Sequence, residues 1–132
     1  MPLISVTRLR LRSWRFMPAF FFNAIRSRSQ ALAAPGSIAV DVKRGPRNAF
    51  WTRTAWDSEA SMRAFMIAHP HGPVMRKLIE WCDEASVVHW TQDSPNLPSW
   101  TEAHQRMQRE GRASKVNHPS PAHTAYQIDP PA

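Results

Sequence analysis

The sequence predicts an α+β protein with a four-stranded antiparallel sheet, and three observations support this class. First, residues 37–43 alternate, with Ile38, Val40 and Val42 on one side, which indicates a half-buried strand. Second, an aromatic and β-branched run at 49–56 follows a Gly-Pro turn, which predicts an antiparallel hairpin. Third, apolar residues recur at helical spacing both before and after this hairpin.

The predicted elements follow the order β-α-β-β-α-β, which is the ferredoxin-like pattern. A strand over residues 2–12 leads into a helix over 14–33, which ends at Pro35-Gly36. After the hairpin and the second helix, a strand at 87–92 completes the sheet. The helices of this pattern cover one face of the sheet, so we expect a second copy of the chain to cover the other face.

The second helix is predicted in two pieces. Asp57 or Ser58 is the expected N-cap of the first piece. Pro70 ends that piece, because the residue before a proline disfavours the helical conformation. Pro73 suits the first turn of the second piece. Cys82, the single cysteine, lies on the apolar stripe of this piece, and we expect it to be a buried, inert thiol in a cytoplasmic protein.

The length of 132 residues predicts one domain, which we place at residues 1–113 and which includes a short helix at 101–109. Residues 114–132 are rich in proline and lack periodicity, which predicts an extended or disordered tail outside the core. Residues 1–30 have the arginine-rich, acid-free composition of a mitochondrial transit peptide. The alternation over residues 3–11 instead favours a strand of the mature fold.

The charge is positive and concentrated early in the chain. The net charge is +7, and six arginines precede the first acid, Asp41. Such a surface attracts nucleic acid, anionic lipid or an acidic small molecule. No zinc-finger spacing or helix-turn-helix pattern accompanies it, so nucleic acid is not the expected partner, and the apolar run 17–22 is too short to span a membrane. The first-strand arginines, Arg8, Arg10 and Arg12, either line a polar cavity or project into solvent, and solvent is the simpler expectation.

A family resemblance rests on Phe50-Trp51-Thr52, Trp56, Ala60-Ser61-Met62-Arg63-Ala64-Phe65, His71, Met75 and Trp81. Over about residues 3–93 the chain resembles spheroidene monooxygenase-like proteins of the dimeric α+β barrel superfamily, which also contains antibiotic-biosynthesis monooxygenases. The resemblance implies a homodimer with a pocket between the sheet and helices of each protomer. It also implies an oxygenase that acts on a hydrophobic or aromatic small molecule, either with haem or without a cofactor.

His71 is the candidate catalytic residue, since it follows the helix break and matches the position of a histidine in the family motif. It would serve as a proton donor or as an axial ligand of haem, or it would only cap the helix end. An arginine on an apolar face would hold a carboxylate or a haem propionate, or it would pair with an acid elsewhere in the fold. The candidate substrate contacts are Trp51, Arg53, Phe65, Met75 and His89.

Other cofactors lack support in the sequence. No Gly-rich phosphate loop is present, so neither flavin nor a nicotinamide cofactor is expected. The triplet His69-Pro70-His71 lacks a recognised ligand spacing, so no metal site is expected apart from His71 if haem binds. No second catalytic candidate lies beside His71 in the sequence. The alternative to a monooxygenase is therefore a non-enzymatic dimer of the same fold that binds a small ligand or has a structural role.

Overall fold

A computed structural model describes residues 1–68 and 71–131, and the side chains of residues 71–75 lie outside the described part. The predicted break at Pro70 also lies outside it. The helices and strands, with a 3-10 turn at Trp14–Phe16 before the first helix, are β1 Leu3–Leu11, α1 Met17–Ala33, β2 Ser37–Arg44, β3 Ala49–Trp56, α2 Glu59–Ile67, α3 His71–Trp81, β4 Cys82–Thr91, α4 Trp100–Glu110, β5 Arg112–Ala113 and α5 Pro121–Ala125.

The sheet has the order β2-β3-β1-β4-β5, and its described pairings are antiparallel. The first four strands have the predicted ferredoxin-like arrangement, with β1 at the centre between β3 and β4. The predicted count of four strands is wrong for the described sheet, because β5 pairs its two residues with Ser86 and Val87 at the β4 edge. A strand of two residues is too short to show an alternating pattern.

Strand β4 begins five residues earlier than the sequence predicts. Cys82 is its first residue, rather than the end of the preceding helix. The next residues are Asp83 and Glu84, and because Asp and Glu are depleted in strands, no local signal marked the start of β4. Glu84 is opposite Arg10 in the ladder with β1, and its carboxylate accepts hydrogen bonds from Arg8 and Arg10. Long-range ion pairs thus offset the weak strand preference of this segment.

Helices α1, α2 and α3 cover one face of the sheet, and we call this side the helix face. It carries two apolar clusters. One cluster lies under α1 and α3 and contains Leu11, Phe20, Phe50, Cys82, Ala85 and Val116. The other lies under α2 and contains Leu3, Trp56 and Met62. Because side chains alternate between the faces of a strand, residues 5 and 7 of β1 share this face with Leu3, Leu9 and Leu11.

The opposite face is covered by the chain itself, and this corrects the expectation that a second copy covers it. Helix α4 and the C-terminal segment pack there, and the buried cluster contains Ile4, Val6, Trp51, Ala55, Val88, Ala103, Met107 and Ile128. The sequence did not predict this layer, because α4 is short and strongly polar outside its two buried residues, Ala103 and Met107.

The C-terminal segment is part of the core, so the expectation that it lies outside is wrong: Ile128 is buried in this cluster, and Val116 is buried in the cluster under α1 and α3. The phenol of Tyr126 donates a hydrogen bond to the Met107 carbonyl at 2.6 Å. The side-chain oxygen of Gln108 accepts one from the Ile128 amide at 2.9 Å. A segment anchored by single, widely spaced apolar residues shows no periodicity, which explains the wrong prediction.

The start of α2 and the end of α1 lie where the capping residue and the glycine in the sequence predict them. Of the two predicted caps, Ser58 is the one used, and its hydroxyl accepts a hydrogen bond from the Ser61 amide at 3.2 Å. Helix α1 ends before Gly36, whose φ is +84°, a conformation that glycine adopts without strain. A Cβ at Gly36 would also collide with Asp57 and Ser61. The tight junction between α1 and β2 therefore requires glycine.

We expected the arginines of β1 to project into solvent, but Arg8 and Arg10 instead form ion pairs. Arg8 is buried, and its guanidinium lies 2.6 Å from the Glu84 carboxylate. Arg10 reaches the same carboxylate at 2.8 Å, and Ser120 donates to it at 2.7 Å. Burial alone would raise the pKa of Glu84, but the hydrogen bonds from Ser120, Arg8 and Arg10 hold it below its ordinary value. The ionised carboxylate thereby ties the C-terminal segment to the sheet.

Candidate functional site

The centre of the helix face is polar. Ser5 is opposite both Thr54 and His89 in the two ladders of β1, and Thr7 is opposite Thr52. We call these five residues the hydroxyl belt. The belt separates the two apolar clusters of the helix face, which lie towards opposite ends of the strands. The belt thus places short hydroxyl side chains on the face that the helices cover, where a core would normally hold large apolar groups.

The belt is partly satisfied by its own hydrogen bonds. The Thr54 hydroxyl donates to the Ser5 carbonyl at 3.4 Å and accepts from the Trp56 indole at 2.9 Å. Trp56 in turn packs against Phe65 of α2 in a tilted arrangement, with ring centroids 5.3 Å apart. Trp56 thus connects the hydroxyl belt to the aromatic side chain that the sequence nominated on α2.

His89 is the titratable member of the belt. It is half-buried, and its Nε2 atom is inaccessible to water and has no hydrogen-bond partner among the described residues. Burial lowers the pKa of His89, and nearby Arg112 and Arg63 add to this effect while Glu59 opposes it. The imidazole is therefore neutral at neutral pH, with one ring nitrogen able to accept a proton. A buried nitrogen without a partner is the kind of group that a bound ligand completes.

A groove of about 550 Å³ opens between the C-terminal end of α1 and helix α2. Its walls are mainly small side chains, with Ala33 on the α1 side and Ala60, Ala64 and Phe65 on α2. This volume lies within the usual range of about 300–1,000 Å³ for small-molecule sites. The apolar walls, which include Phe65, suit a flat hydrophobic molecule.

Two of the predicted substrate contacts lie on the opposite face. Trp51 is fully buried, with its ring 6.2 Å from the imidazole of His104 on α4. Arg53 forms an ion pair with Asp41 at 2.6 Å and lies 4.2 Å above the Trp100 ring. The structure therefore does not bring Trp51 and Arg53 together with the helix-face residues.

The family assignment comes from residues 20–118, which match the family described as a domain of unknown function, DUF3291. The chain is a DUF3291 protein. A search of the curated proteins finds none that matches this sequence.

Solved structures show which fold this DUF3291 protein has. A putative antibiotic biosynthesis monooxygenase from Nitrosomonas europaea superposes with a TM-score of 0.64 at 13% identity, over 72% of this chain and 93% of that chain. SnoaB, a cofactor-independent oxygenase from Streptomyces nogalater, gives 0.56 at 14% identity, over 70% and 94%. A conserved protein from Methanosarcina mazei Go1 gives 0.63 at 14% identity, over 70% and 94%. The shared feature is the ferredoxin-like fold of antibiotic-biosynthesis monooxygenase-like proteins.

The remaining predicted site residues are His71 and Met75. Both belong to the first half of α3, and their side chains lie outside the described part of this DUF3291 protein. Their proposed roles therefore stay predictions. Of the predicted contacts on described side chains, Phe65 and His89 lie on the helix side of the sheet.

Sequence reasoning missed the four hydroxyl residues of the belt, Ser5, Thr7, Thr52 and Thr54. A signal for them was present, because hydroxyl residues recur at every second position in both β1 and β3. Two strands with the same polar parity predict a polar stripe when they pair.

The described residues contain neither a helix that could span a membrane nor a metal-binding cluster. Over residues 1–68 and 71–131, no helix combines the length and apolar character that crossing a bilayer requires. Over the same residues, no three or more His, Cys, Asp or Glu side chains converge as ligands for a metal ion.

Proposed function

We propose that this DUF3291 protein binds a hydrophobic aromatic molecule between its helices and sheet and oxygenates it without a cofactor. The observation that carries the proposal is the neutral imidazole of His89, whose buried Nε2 has no partner among the described residues. It lies in a belt of hydroxyl groups on the helix face, where the rings of Trp56 and Phe65 also pack against each other. Base, polar groups and aromatic wall are the components that this chemistry needs.

The proposed reaction begins with proton transfer. His89 removes a proton from an acidic C–H or O–H bond of an electron-rich substrate, and belt hydroxyls stabilise the resulting anion. The anion then reduces dioxygen directly. One oxygen atom enters the product and the other leaves as water, so a substrate CH₂ becomes a carbonyl group. The substrate supplies all the electrons, and no external reductant is required.

Two kinds of observation support an oxygenase over other chemistries of the fold. Antibiotic-biosynthesis monooxygenase-like structures share this fold, and one of them, SnoaB, is described as a cofactor-independent oxygenase. A fold hosts many functions, so the site of this chain must carry the argument. Here the neutral buried histidine supplies the base that such a reaction uses in place of a cofactor.

Haem fits the described residues poorly. Its position on a predicted apolar face made Arg53 a candidate partner for a haem propionate, with an ion pair to an acid as the alternative. Arg53 is held by Asp41 and Trp100 on the face away from α1, α2 and α3, so it cannot serve a group bound on the helix face. A haem-dependent, spheroidene monooxygenase-like activity through His71 stays a separate hypothesis. The absorption spectrum of the purified protein tests it, since bound haem gives a Soret band.

An anthrone tests the proposed activity, because its benzylic CH₂ is acidic and its conversion to an anthraquinone takes up one oxygen atom and releases water. We expect oxygen uptake by the wild-type protein and incorporation of label from isotopic dioxygen. His89→Ala should lower the rate by about 100-fold or more, the range of a lost general base. His118→Ala is the matched control, because His118 is an exposed histidine bonded to Glu80. Equal rates for the two variants would contradict the role of His89.

The alternative is a binding protein of the same fold without chemistry, and the apolar groove beside Phe65 favours it. The anthrone assay separates the two functions. Saturable quenching of tryptophan fluorescence without oxygen uptake would indicate a binder. Oxygen uptake that depends on His89 would indicate an enzyme.

We also propose an oligomeric state and a cellular location for this protein. We propose a homodimer that uses the edge strand β2, where Ile38 and Val42 are exposed. Exposed apolar side chains on an edge strand are a frequent route to pairing between copies. The single buried thiol of Cys82 supports a reducing cytoplasm, and microscopy of a fluorescent fusion tests this location.

A further inference from the structure

Helix α1 is apolar on two opposite sides. One side packs on the sheet and buries Phe20, Asn23 and Ala31. The other side faces solvent and carries four large apolar residues, Phe22, Ile25 and Leu32 together with Phe21, which is 41% exposed and also packs edge-on against Phe50 of β3. With 3.6 residues per turn, these four span an arc of about 100° on the helix. An ordinary surface helix has a polar outer side, so this second apolar stripe needs an explanation.

The exposure of the stripe is high. Phe22 is 62% exposed, Ile25 is 65% exposed and Leu32 is 52% exposed. Trp14, in the turn directly before α1, is 78% exposed. Tryptophan is enriched where a protein meets the interface between water and lipid, because its ring combines an apolar body with a polar N–H.

Arginines border the stripe. On the helical wheel Arg28 lies at one edge of the arc and Arg26 at the other, and the Arg26 guanidinium lies 5.6 Å from the centroid of the Phe22 ring. Arg15 is exposed beside Trp14. No acid occurs in the first 40 residues of the chain. Among the described residues, Arg15, Arg26 and Arg28 form no ion pair.

We propose that the outer side of α1 docks on the surface of an anionic phospholipid bilayer. In this arrangement the helix lies parallel to the surface, its apolar stripe enters the boundary between headgroups and acyl chains, and the flanking arginines contact lipid phosphates. The charge pattern selects this occupant. Arginines on both borders of an apolar arc complement a surface that is negative everywhere, whereas a protein partner would need acids placed at two matching edges.

A second copy of this chain fits the stripe less well. A symmetric contact between two α1 helices would bring Arg26 and Arg28 of both copies together. The first 40 residues supply no carboxylate to offset these charges. Like charges placed opposite each other at an interface oppose association. The stripe therefore selects a lipid surface over self-association.

The test is a sedimentation assay of the full chain with vesicles. Vesicles of phosphatidylcholine with one third phosphatidylglycerol are compared with vesicles of phosphatidylcholine alone. We expect binding to the anionic vesicles, about tenfold or more weaker binding to the neutral ones, and weakening at about 1 M salt, which screens the charges. The double variant Phe22→Ser with Ile25→Ser should lose binding. Both residues are exposed, so the melting temperature should stay near that of the wild type.

A matched pair of charge variants separates a local site from general positive charge. Arg26→Gln with Arg28→Gln should weaken binding about tenfold or more. Arg109→Gln with Lys115→Gln removes the same charge from exposed positions outside α1 and should leave binding nearly unchanged. Equal losses in the two double variants, or no binding to anionic vesicles, would overturn the proposal. A dimer that Phe22→Ser with Ile25→Ser dissociates would overturn it as well, because the stripe would then contact a second copy.

Discussion

At the scale of single residues, burial and hydrogen bonding set the protonation states of the polar groups on both faces of the sheet. Glu84 is ionised because two arginines and a serine surround it, whereas His89 is neutral because burial disfavours its charged form. Cys82 follows the same physics, since burial raises its pKa to about 12 and keeps the thiol protonated. Sequence reasoning predicted the inert thiol from its apolar neighbours. It did not predict the ion pair of Arg8 with Glu84, because these residues are 76 positions apart in the chain.

The pKa of His89 makes a prediction about acid stability. The native pKa lies below 6.5, so between pH 6.5 and that lower value the unfolded chain binds a proton that the native state does not bind. The free energy of unfolding should therefore fall as the pH drops through this window. Thermal melts between pH 7.5 and pH 5 measure it, and the melting temperature of His89→Ala should fall less than that of the wild type.

His89→Gln is the matched variant for this experiment, because its amide forms hydrogen bonds but does not titrate. Its change with pH should equal that of His89→Ala, even if the two differ in overall stability. A wild-type slope in both variants would show that His89 takes up its proton equally in the native and unfolded states.

At the scale of elements, the accuracy of prediction followed the length and regularity of the pattern. The β2–β3 hairpin and the order of the first four strands were predicted, because alternation over six or more residues is visible in the sequence alone. The start of β4, the strand β5 and the C-terminal layer were not. Each depends on contacts with a distant partner, such as Glu84 with Arg10 or Ile128 with the sheet, and such contacts leave no local period.

The C-terminal segment should be essential for stability. A chain that stops after Ala113 loses the buried side chains of Val116 and Ile128 and the hydrogen bond from Ser120 to Glu84. Truncation of one buried isoleucine costs about 2–5 kcal/mol, so the melting temperature should drop by many degrees. Differential scanning calorimetry of the shortened chain measures this effect.

Point variants make the same test without shortening the chain. Ile128→Ala should lower the melting temperature clearly, since Ile128 lies in the core cluster of the opposite face. Thr124→Ala is the control within the same segment, because Thr124 is exposed. Similar melting temperatures for the wild type and Ile128→Ala would contradict the role assigned to this layer.

At the scale of the whole molecule, the site and the assembly were the least predictable features. Sequence reasoning placed Trp51, Arg53, Phe65 and His89 around one ligand, yet the sheet separates the first two from the last two. A shift of one residue along a strand moves the side chain to the other face of the sheet. A sequence motif does not show which helices cover each face. The fold was therefore easier to predict than the arrangement of the site.

The oligomeric state also belongs to this scale. The face that was expected to need a second copy is covered by α4 and Ile128, so a dimer would have to use another surface such as the β2 edge. We expect a dimer by sedimentation velocity, and Val42→Lys should dissociate it by placing a charge on the exposed edge. Ser29→Lys, which adds the same charge at an exposed position on α1, is the control. A species of 15.1 kDa at micromolar concentration would exclude the dimer.

The central position of β1 has a consequence for biosynthesis. Residues 3–11 are synthesised before β3 and β4, the strands on either side of them, which end at residues 56 and 91. The strand that holds the sheet together therefore leaves the ribosome long before either neighbour and must wait without a partner. Arg8, Arg10 and Arg12 keep this early segment charged until Glu84 and Glu80 are made to pair with them. The same arginines that fix the finished sheet would thus protect the nascent chain from aggregation.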